Sequence, residues 1–171
     1  MIVEGNSVRS ITRMTGVCQE PILKLLCDLG AACAKHHNSA VRNLTSQRIQ
    51  CDEVWSFCYS KDKNVPTARK EFAGSVWTWV AIDADTKLIV SYLCGGRDAD
   101  WACSFMEDVA SRLTTRIQIT TDGHRAYAEA VEGAFGMEVD YAMLIKLYGA
   151  PSDKLTRGTA LRSASGHAQP R

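Results

Sequence analysis

The spacing of apolar residues divides the chain into a helical head and a body rich in strands. Residues 8–14 place apolar side chains at helical spacing, and Gly16 interrupts that pattern. Pro21 stands where the first turn of a helix tolerates it, and the leucines behind it run to Gly30, which is expected to end the helix. The pattern predicts two helices joined by a turn within residues 1–34. Such a pair fits a partial helix-turn-helix DNA-binding head, and it fits equally well any helical hairpin that packs on a neighbour.

The pattern changes character beyond the head. Residues 35–48 are polar and have no apolar stripe long enough to pack, so they are predicted to form a linker. From Ile49 onward, runs rich in β-branched and aromatic residues indicate strands, and a return to helical spacing indicates helices. The predicted elements are strands at 49–57, 75–82 and 88–93 with a turn at 83–87 between the last two, a helix at 98–113, a strand at 116–121, a helix at 124–135 and a strand at 138–147. Residues 49–149 are therefore expected to be an α/β domain with a mixed five-stranded sheet and flanking helices.

Three strands followed by alternating helices and strands is the order of a ribonuclease H-like domain, in which the first and fourth strands are neighbours. Asp52 falls within the first predicted strand and Asp122 ends the fourth, so their side chains could project into one site. Each also has a simpler explanation. Asp52 could be a water-facing carboxylate on an edge strand, and Asp122 could serve an Asp-Gly turn or cap a helix. Glu53 is expected to point to the opposite face, because side chains alternate along a strand.

Two carboxylates on neighbouring strands are the minimum of a site for a hard divalent cation. Such cations take oxygen ligands and neutralise phosphate charge during an in-line displacement. A polar group in an apolar strand is costly unless it is paired, so Asp52 has a physical reason to have a partner. A third carboxylate normally completes a two-metal site.

Composition narrows the class of protein. The 171 residues are 46% hydrophobic and 23% charged, which is typical of one soluble domain with a small appendage. No apolar run approaches the roughly 20 residues of a membrane span, and the first residues lack a secretory signal, so a cytoplasmic location without membrane contact is expected. The seven cysteines lack metal-binding spacing and are expected to be reduced and mostly buried, which argues against a zinc site.

Charge is distributed unevenly along the chain. Residues 1–50 carry six Lys or Arg against three acids, and residues 51–150 carry ten against fifteen. A basic head on an acidic body suits a DNA contact beside a cation site. The predicted phosphate contacts in the head are Arg9, Arg13 and Lys24. Arg97 and a basic loop at 61–70 are either further contacts or solvated charges, and Trp55, Trp77 and Trp79 are predicted to be core aromatics.

Three blocks of sequence, CDEVWSF, VWTWVAIDADTKLIVSYLCGGRDAD and TTDGHRAYAEAVEGAFG, follow the head EGNSVRSITRMTGVCQEPILKLL. Together they resemble the DDE-class insertion-sequence transposases, in particular the insertion sequence one family, over residues 2–149. The resemblance implies that Asp52 and Asp122 are the first two catalytic acids and hold Mg²⁺ or Mn²⁺. The reaction implied is phosphodiester hydrolysis followed by strand transfer. The implied partners are the terminal repeats of the element and the target DNA. Assembly into a homo-oligomer is a further possibility that the resemblance leaves open.

The tail departs from the family pattern. Related full-length enzymes carry a third acid, a glutamate on a helix beyond the last predicted strand, and residues 150–171 contain no glutamate. This tail is expected to be disordered, or to be out-of-frame sequence after a frameshift. The resemblance thus predicts a transposase that is truncated at its C-terminus, with an incomplete catalytic core and little or no strand transfer. Two alternatives are a non-catalytic DNA-binding protein that occupies element ends and regulates an intact transposase, and a ribonuclease H-like nuclease that needs only the two visible acids.

Overall fold

The computed structural model of the chain describes residues 1–146 and 159–163. The chain divides into two compact units, Met1–Arg42 and Asn43–Arg171, named here the head unit and the sheet unit. The head unit consists of helices α1 (Val8–Thr15) and α2 (Gln19–Ala40). Gly16 ends α1 in the left-handed conformation, at φ 74°, which glycine adopts without steric cost. The two helices predicted from apolar spacing are both present, and a three-residue turn joins them.

Helix α2 is longer than predicted. Gly30 lies in its interior rather than at its end, and residues 35–40, predicted to be linker, form its last turns. A glycine inside a helix costs only about 1 kcal/mol relative to alanine, so it does not end a helix that the other residues favour. Although α2 has 22 residues, no helix among the described residues has both the length and the apolar character needed to cross a bilayer.

The elements of the sheet unit lie close to their predicted positions. They are β1 (Arg48–Cys58), β2 (Gly74–Asp83), β3 (Ile89–Gly95), α3 (Ala99–Arg112), β4 (Ile117–Thr121), α4 (Ala126–Phe135), β5 (Val139–Lys146) and β6 (Thr159–Ser163). Two short 3-10 helices lie between β1 and β2. The predicted α/β class, with a mixed sheet and flanking helices, is confirmed.

The strand order is β3-β2-β1-β4-β5-β6. The pairs β1/β2, β2/β3 and β5/β6 are antiparallel, whereas β4 runs parallel to both β1 and β5. The prediction that the first and fourth strands are neighbours is confirmed. This adjacency matters for function because residues at the carboxyl ends of two parallel neighbours meet at one edge of the sheet.

Strand β6 is not among the predicted elements. Within the tail, which was expected to be disordered or out of frame, Thr159–Ser163 pairs with β5 and gives the sheet six strands instead of five. The alternative of an out-of-frame tail stays a prediction. An edge strand offers unpaired backbone N–H and C=O groups, so it can pair with a segment whose side chains carry no strand signal. Residues 147–158 and 164–171 of the tail lie outside the described residues.

The core of the sheet unit lies between α3, α4 and one face of the sheet. Helix α3 contributes Phe105, Met106 and Val109 to it, at the helical spacing expected of a helix packed on one side. Its other large members are Ile49, Trp79, Val90, Ile117, Ile119, Tyr127 and Val131. The sheet residues in this set alternate with residues that point to the other face, as strand geometry requires.

Two predictions about burial are wrong. Trp79 is completely buried, but Trp55 is 41% exposed, because β1 continues beyond its ladder with β4 and pairs there with β2 alone. The seven cysteines are free thiols, as predicted, yet only Cys51 is buried. Three of the exposed cysteines lie in the head unit, where two helices offer little interior.

Candidate metal centre

The parallel pairing of β1 and β4 brings Asp52 and Asp122 together. The last pair of this ladder is Cys51 with Thr121, and each aspartate is the residue that follows. One carboxylate oxygen of Asp52, one of Glu53 and one of Asp122 all lie within 4.8 Å of one another. We name these three residues the acidic cluster.

Hydrogen bonds to the backbone orient both aspartates. The Asp122 Oδ1 atom accepts from the His124 backbone N–H at 2.9 Å, and the Asp52 Oδ1 atom accepts from the Glu53 N–H at 2.8 Å. Asp122 therefore stabilises the turn after β4, which was one of its two simpler explanations. It does not cap α4, the other explanation, because that helix begins only at Ala126. Turn and ligand roles are compatible, because a carboxylate has two oxygens with several acceptor sites.

Glu53 is the member of the cluster that the sequence pattern did not identify. Alternation holds in the ladder, since Glu53 pairs with the buried Trp79 and its side chain is only 1% exposed. The Glu53 carboxylate nevertheless lies in the cluster with those of Asp52 and Asp122. The period-2 pattern of the strand does not identify Glu53 as a site residue. The burial of its charged side chain in the structure does.

Arg97 holds one oxygen of this buried glutamate. Its Nε and Nη2 atoms donate to the Glu53 Oε2 atom at 3.1 and 3.0 Å, and its guanidinium lies 4.4 Å from the centre of the Trp77 ring. The Arg97 side chain is 37% exposed, so the ion pair is buried on the Glu53 side and partly exposed to solvent on the Arg97 side. The other oxygen, Glu53 Oε1, is buried and has no hydrogen-bond partner among the described residues.

The interior beneath the cluster is apolar and disfavours further negative charge. Burial raises the pKa of the Cys51 thiol, and the charges of Glu53 and Asp52 raise it further. Burial likewise raises the pKa of the Tyr127 hydroxyl, with added contributions from Cys51 and Glu53. Glu53 influences this hydroxyl, but no hydrogen bond of ordinary geometry joins the two groups. A cation near Glu53 would relieve this concentration of negative charge.

A groove of about 680 Å³ lies against the sheet beside the cluster. Asp52 and Asp122 line it, together with apolar side chains such as Val54 and Leu144. Gly123 also lines the groove, and neither the space around it nor its backbone conformation requires a glycine there. A Cβ at that position would meet only the Ile145 Cγ1 atom, at 4.0 Å, and Gly123 has no positive φ.

The acidic cluster fits a hard divalent cation. Carboxylate oxygens are the ligands that Mg²⁺ and Mn²⁺ prefer, and the cluster supplies three carboxylates. The buried Glu53 Oε1 atom accepts from no donor in the described part of the chain, and a cation would satisfy it. Three carboxylates and the Arg97 guanidinium have a formal charge of −2, equal and opposite to that of the ion.

The predicted DNA contacts belong to the head unit. Arg9 and Arg13 are exposed, one turn apart on α1, and neither forms a salt bridge within the part of the chain that the structure describes. Lys24 is also exposed, but its Nζ atom is paired with Asp28 at 2.6 Å. Arg9 and Arg13 are therefore better placed than Lys24 to contact phosphate.

Fold and site together define an α/β unit with a carboxylate cluster where the ladder between its central strands β1 and β4 ends. No protein-family model matches the chain, and no curated protein matches it either.

Proposed function

We propose that the sheet unit is the ribonuclease H-like core of a DDE-class transposase and acts on DNA phosphodiesters with Mg²⁺ or Mn²⁺. One observation carries the proposal: Asp52 and Asp122 follow the last paired residues of two parallel neighbouring strands, and their carboxylates share one cluster. The strand order around β1 and β4 supports the ribonuclease H-like assignment, because that topology places its first and fourth strands side by side.

Different residues of the site would bind the cation and orient its ligands. Asp52 and Asp122 would hold the cation, which when bound supplies Lewis-acid stabilisation of phosphate oxygens. The backbone N–H groups of Glu53 and His124 fix the orientation of the two carboxylates. The groove beside them would give a nucleic-acid strand access to the cluster.

The expectation of little strand transfer stays a prediction. That expectation assumed a site with two carboxylates, whereas the described residues provide a third carboxylate, that of Glu53. Cleavage and strand transfer are separable steps, so the test of the proposal is cleavage.

We expect the full chain to nick supercoiled DNA in Mg²⁺ or Mn²⁺, and we expect Asp52→Asn to reduce the nicking rate at least about hundredfold. The asparagine keeps the shape of the side chain and removes a ligand charge, and a misplacement of about 1 Å in such a site already costs roughly a hundredfold. Agarose-gel kinetics measure the loss of supercoiled plasmid. Nicking that persists with EDTA, or that Asp52→Asn leaves unchanged, would contradict the proposal.

A second candidate function is DNA binding by the head unit without catalysis. The short turn between α1 and α2 favours it, as do Arg9 and Arg13 of α1, which form no salt bridge with the described residues. The first helix of a helix-turn-helix crosses the DNA backbone. In this alternative the protein occupies element ends and regulates an intact transposase. DNA binding without any cation-dependent nicking would favour it over the first candidate.

Replacing Arg9 or Arg13 by alanine is expected to weaken DNA binding and to reduce its salt dependence. Each lost phosphate contact should lower the magnitude of the slope of log K against log salt by about 0.9. Fluorescence anisotropy of labelled duplex at several salt concentrations measures the slope. Lys24→Ala is the matched control, and it should change the slope less because Lys24 is already paired with Asp28. Slopes that stay at the wild-type value in both arginine variants would remove these residues from the interface.

A further inference from the structure

The Glu53 carboxylate is buried with one oxygen bound and the other without a partner. Arg97 donates to Oε2, while Oε1 has no hydrogen-bond partner among the described residues. A buried acceptor that lacks a donor is rare in folded proteins, and each instance calls for an explanation. Here the carboxylate also belongs to the acidic cluster with Asp52 and Asp122.

We propose that Glu53 is a direct third ligand of the divalent cation at Asp52 and Asp122, and that Arg97 is its positioning residue. This inference rests on the proposed function, because it adds a ligand to the same site. It requires no segment beyond the described residues, and it assigns a role to a glutamate adjacent to the first aspartate on β1.

The hydrogen bonds of Arg97 explain how Glu53 presents one oxygen to the site. Both donors of Arg97 converge on Oε2, which orients the carboxylate and leaves Oε1 available to a cation. The Trp77 ring lies 4.4 Å from the guanidinium and limits its rotation. Glu53 would thus bind the cation through one oxygen while Arg97 keeps the other.

Charge balance does not distinguish the two arrangements, because the two aspartates alone already match the two positive charges of the cation and the Glu53–Arg97 pair adds no net charge. The buried Glu53 Oε1 atom, which has no partner among the described residues, does distinguish them. A buried ion pair kept only for stability would instead be expected to satisfy both carboxylate oxygens.

The test is a titration of the full chain with Mn²⁺, in which electron paramagnetic resonance measures the free ion. We expect Glu53→Gln to lower Mn²⁺ affinity at least about tenfold, the lower end of the loss seen even for residues that only support a ligand. Glutamine keeps an acceptor for Arg97 and removes the anionic ligand oxygen. Glu107→Gln, at an exposed position of α3 outside the cluster, is the matched control and should bind Mn²⁺ like the wild type.

Arg97→Lys separates positioning from charge. Lysine keeps the positive charge but cannot place two donors in one plane on Oε2. We expect a several-fold loss of Mn²⁺ affinity, smaller than that of Glu53→Gln. Wild-type affinity in Arg97→Lys would overturn the positioning role.

The failures of the two proposals are distinguishable. If Asp52→Asn and Asp122→Asn lower affinity and Glu53→Gln does not, Glu53 is only a structural ion-pair partner and the inference is overturned while the proposed function stands. If no variant of the cluster lowers affinity, the proposed function itself fails. Should Glu53→Gln not fold, the wild-type chain still provides a test, because Mg²⁺ should shift the Glu53 carboxyl carbon resonance. An unshifted resonance at saturating Mg²⁺ would overturn the assignment.

Discussion

Replacing Asp122 by asparagine is expected to lower the affinity of the full chain for Mn²⁺ more than hundredfold. Asparagine can still accept the hydrogen bond from the His124 backbone N–H through its side-chain oxygen, so the turn after β4 is preserved. What is lost is one anionic ligand of three. Removing a group that merely supports a ligand costs roughly 10–100-fold in metal affinity, and loss of the ligand itself should exceed that range. Isothermal titration calorimetry with Mn²⁺ measures the change.

The neighbouring strand offers a matched control for this prediction. Asp140 lies on β5, which pairs with β4, and its carboxylate is exposed and bound to Arg116. Asp140→Asn removes the same charge from the same sheet without touching the acidic cluster, so it should leave Mn²⁺ affinity unchanged. Equal losses in the two variants would mean that Asp122 acts through general electrostatics, and the ligand assignment would be wrong.

Replacing Trp79 by alanine is expected to reduce the free energy of unfolding of the sheet unit by about 3–5 kcal/mol. Trp79 is fully buried, and its ring centre lies 5.8 Å from that of Phe105 and 5.4 Å from that of Tyr127. Its indole N–H donates to the Gly96 carbonyl oxygen at 2.9 Å, so truncation also leaves that acceptor unpaired. The expected loss is large against the roughly 5–15 kcal/mol that stabilises a typical domain.

Denaturant titration followed by tryptophan fluorescence measures this loss. All four tryptophans lie in the sheet unit, so the three that remain report its unfolding. Trp55→Ala is the control, because Trp55 is exposed and contacts Phe57 and Ser75 near the end of the β1/β2 ladder. We expect it to cost about 1 kcal/mol or less. Equal losses in the two variants would contradict the position of the core.

Apolar periodicity was sufficient to predict most of the sheet unit. The strands have period-2 patterns and α3 has a helical pattern because one face of each packs on the core. The spacing of apolar residues therefore indicates directly which residues are buried. The proximity of Asp52 and Asp122 was predicted from topology instead. They are 70 residues apart, and only the adjacency of the first and fourth strands brings them together. The order of the elements predicted that adjacency, and the structure confirms it.

The main features that escaped prediction have different physical causes. Helix α2 continues past Gly30 because the cost of one glycine is small beside the helical preference of its neighbours. Strand β6 forms on backbone pairing with β5, which leaves little trace in side-chain pattern. Glu53 obeys the alternation that seemed to exclude it, and only the three-dimensional structure shows that its carboxylate lies in the cluster. For β6 and Glu53, the arrangement of neighbouring elements outweighs the local pattern.

Local cleavage by bound iron tests the central claim, a divalent cation at Asp52 and Asp122, most directly. Fe²⁺ that occupies the site, given ascorbate and peroxide, generates hydroxyl radicals that cut the nearby backbone, and mass spectrometry of the fragments locates the cuts. The account predicts cuts near residues 52 and 122 that excess Mg²⁺ suppresses and that the Asp52→Asn, Asp122→Asn double variant abolishes. Cuts confined to other parts of the chain, or cuts near these residues that persist in the double variant, would contradict it.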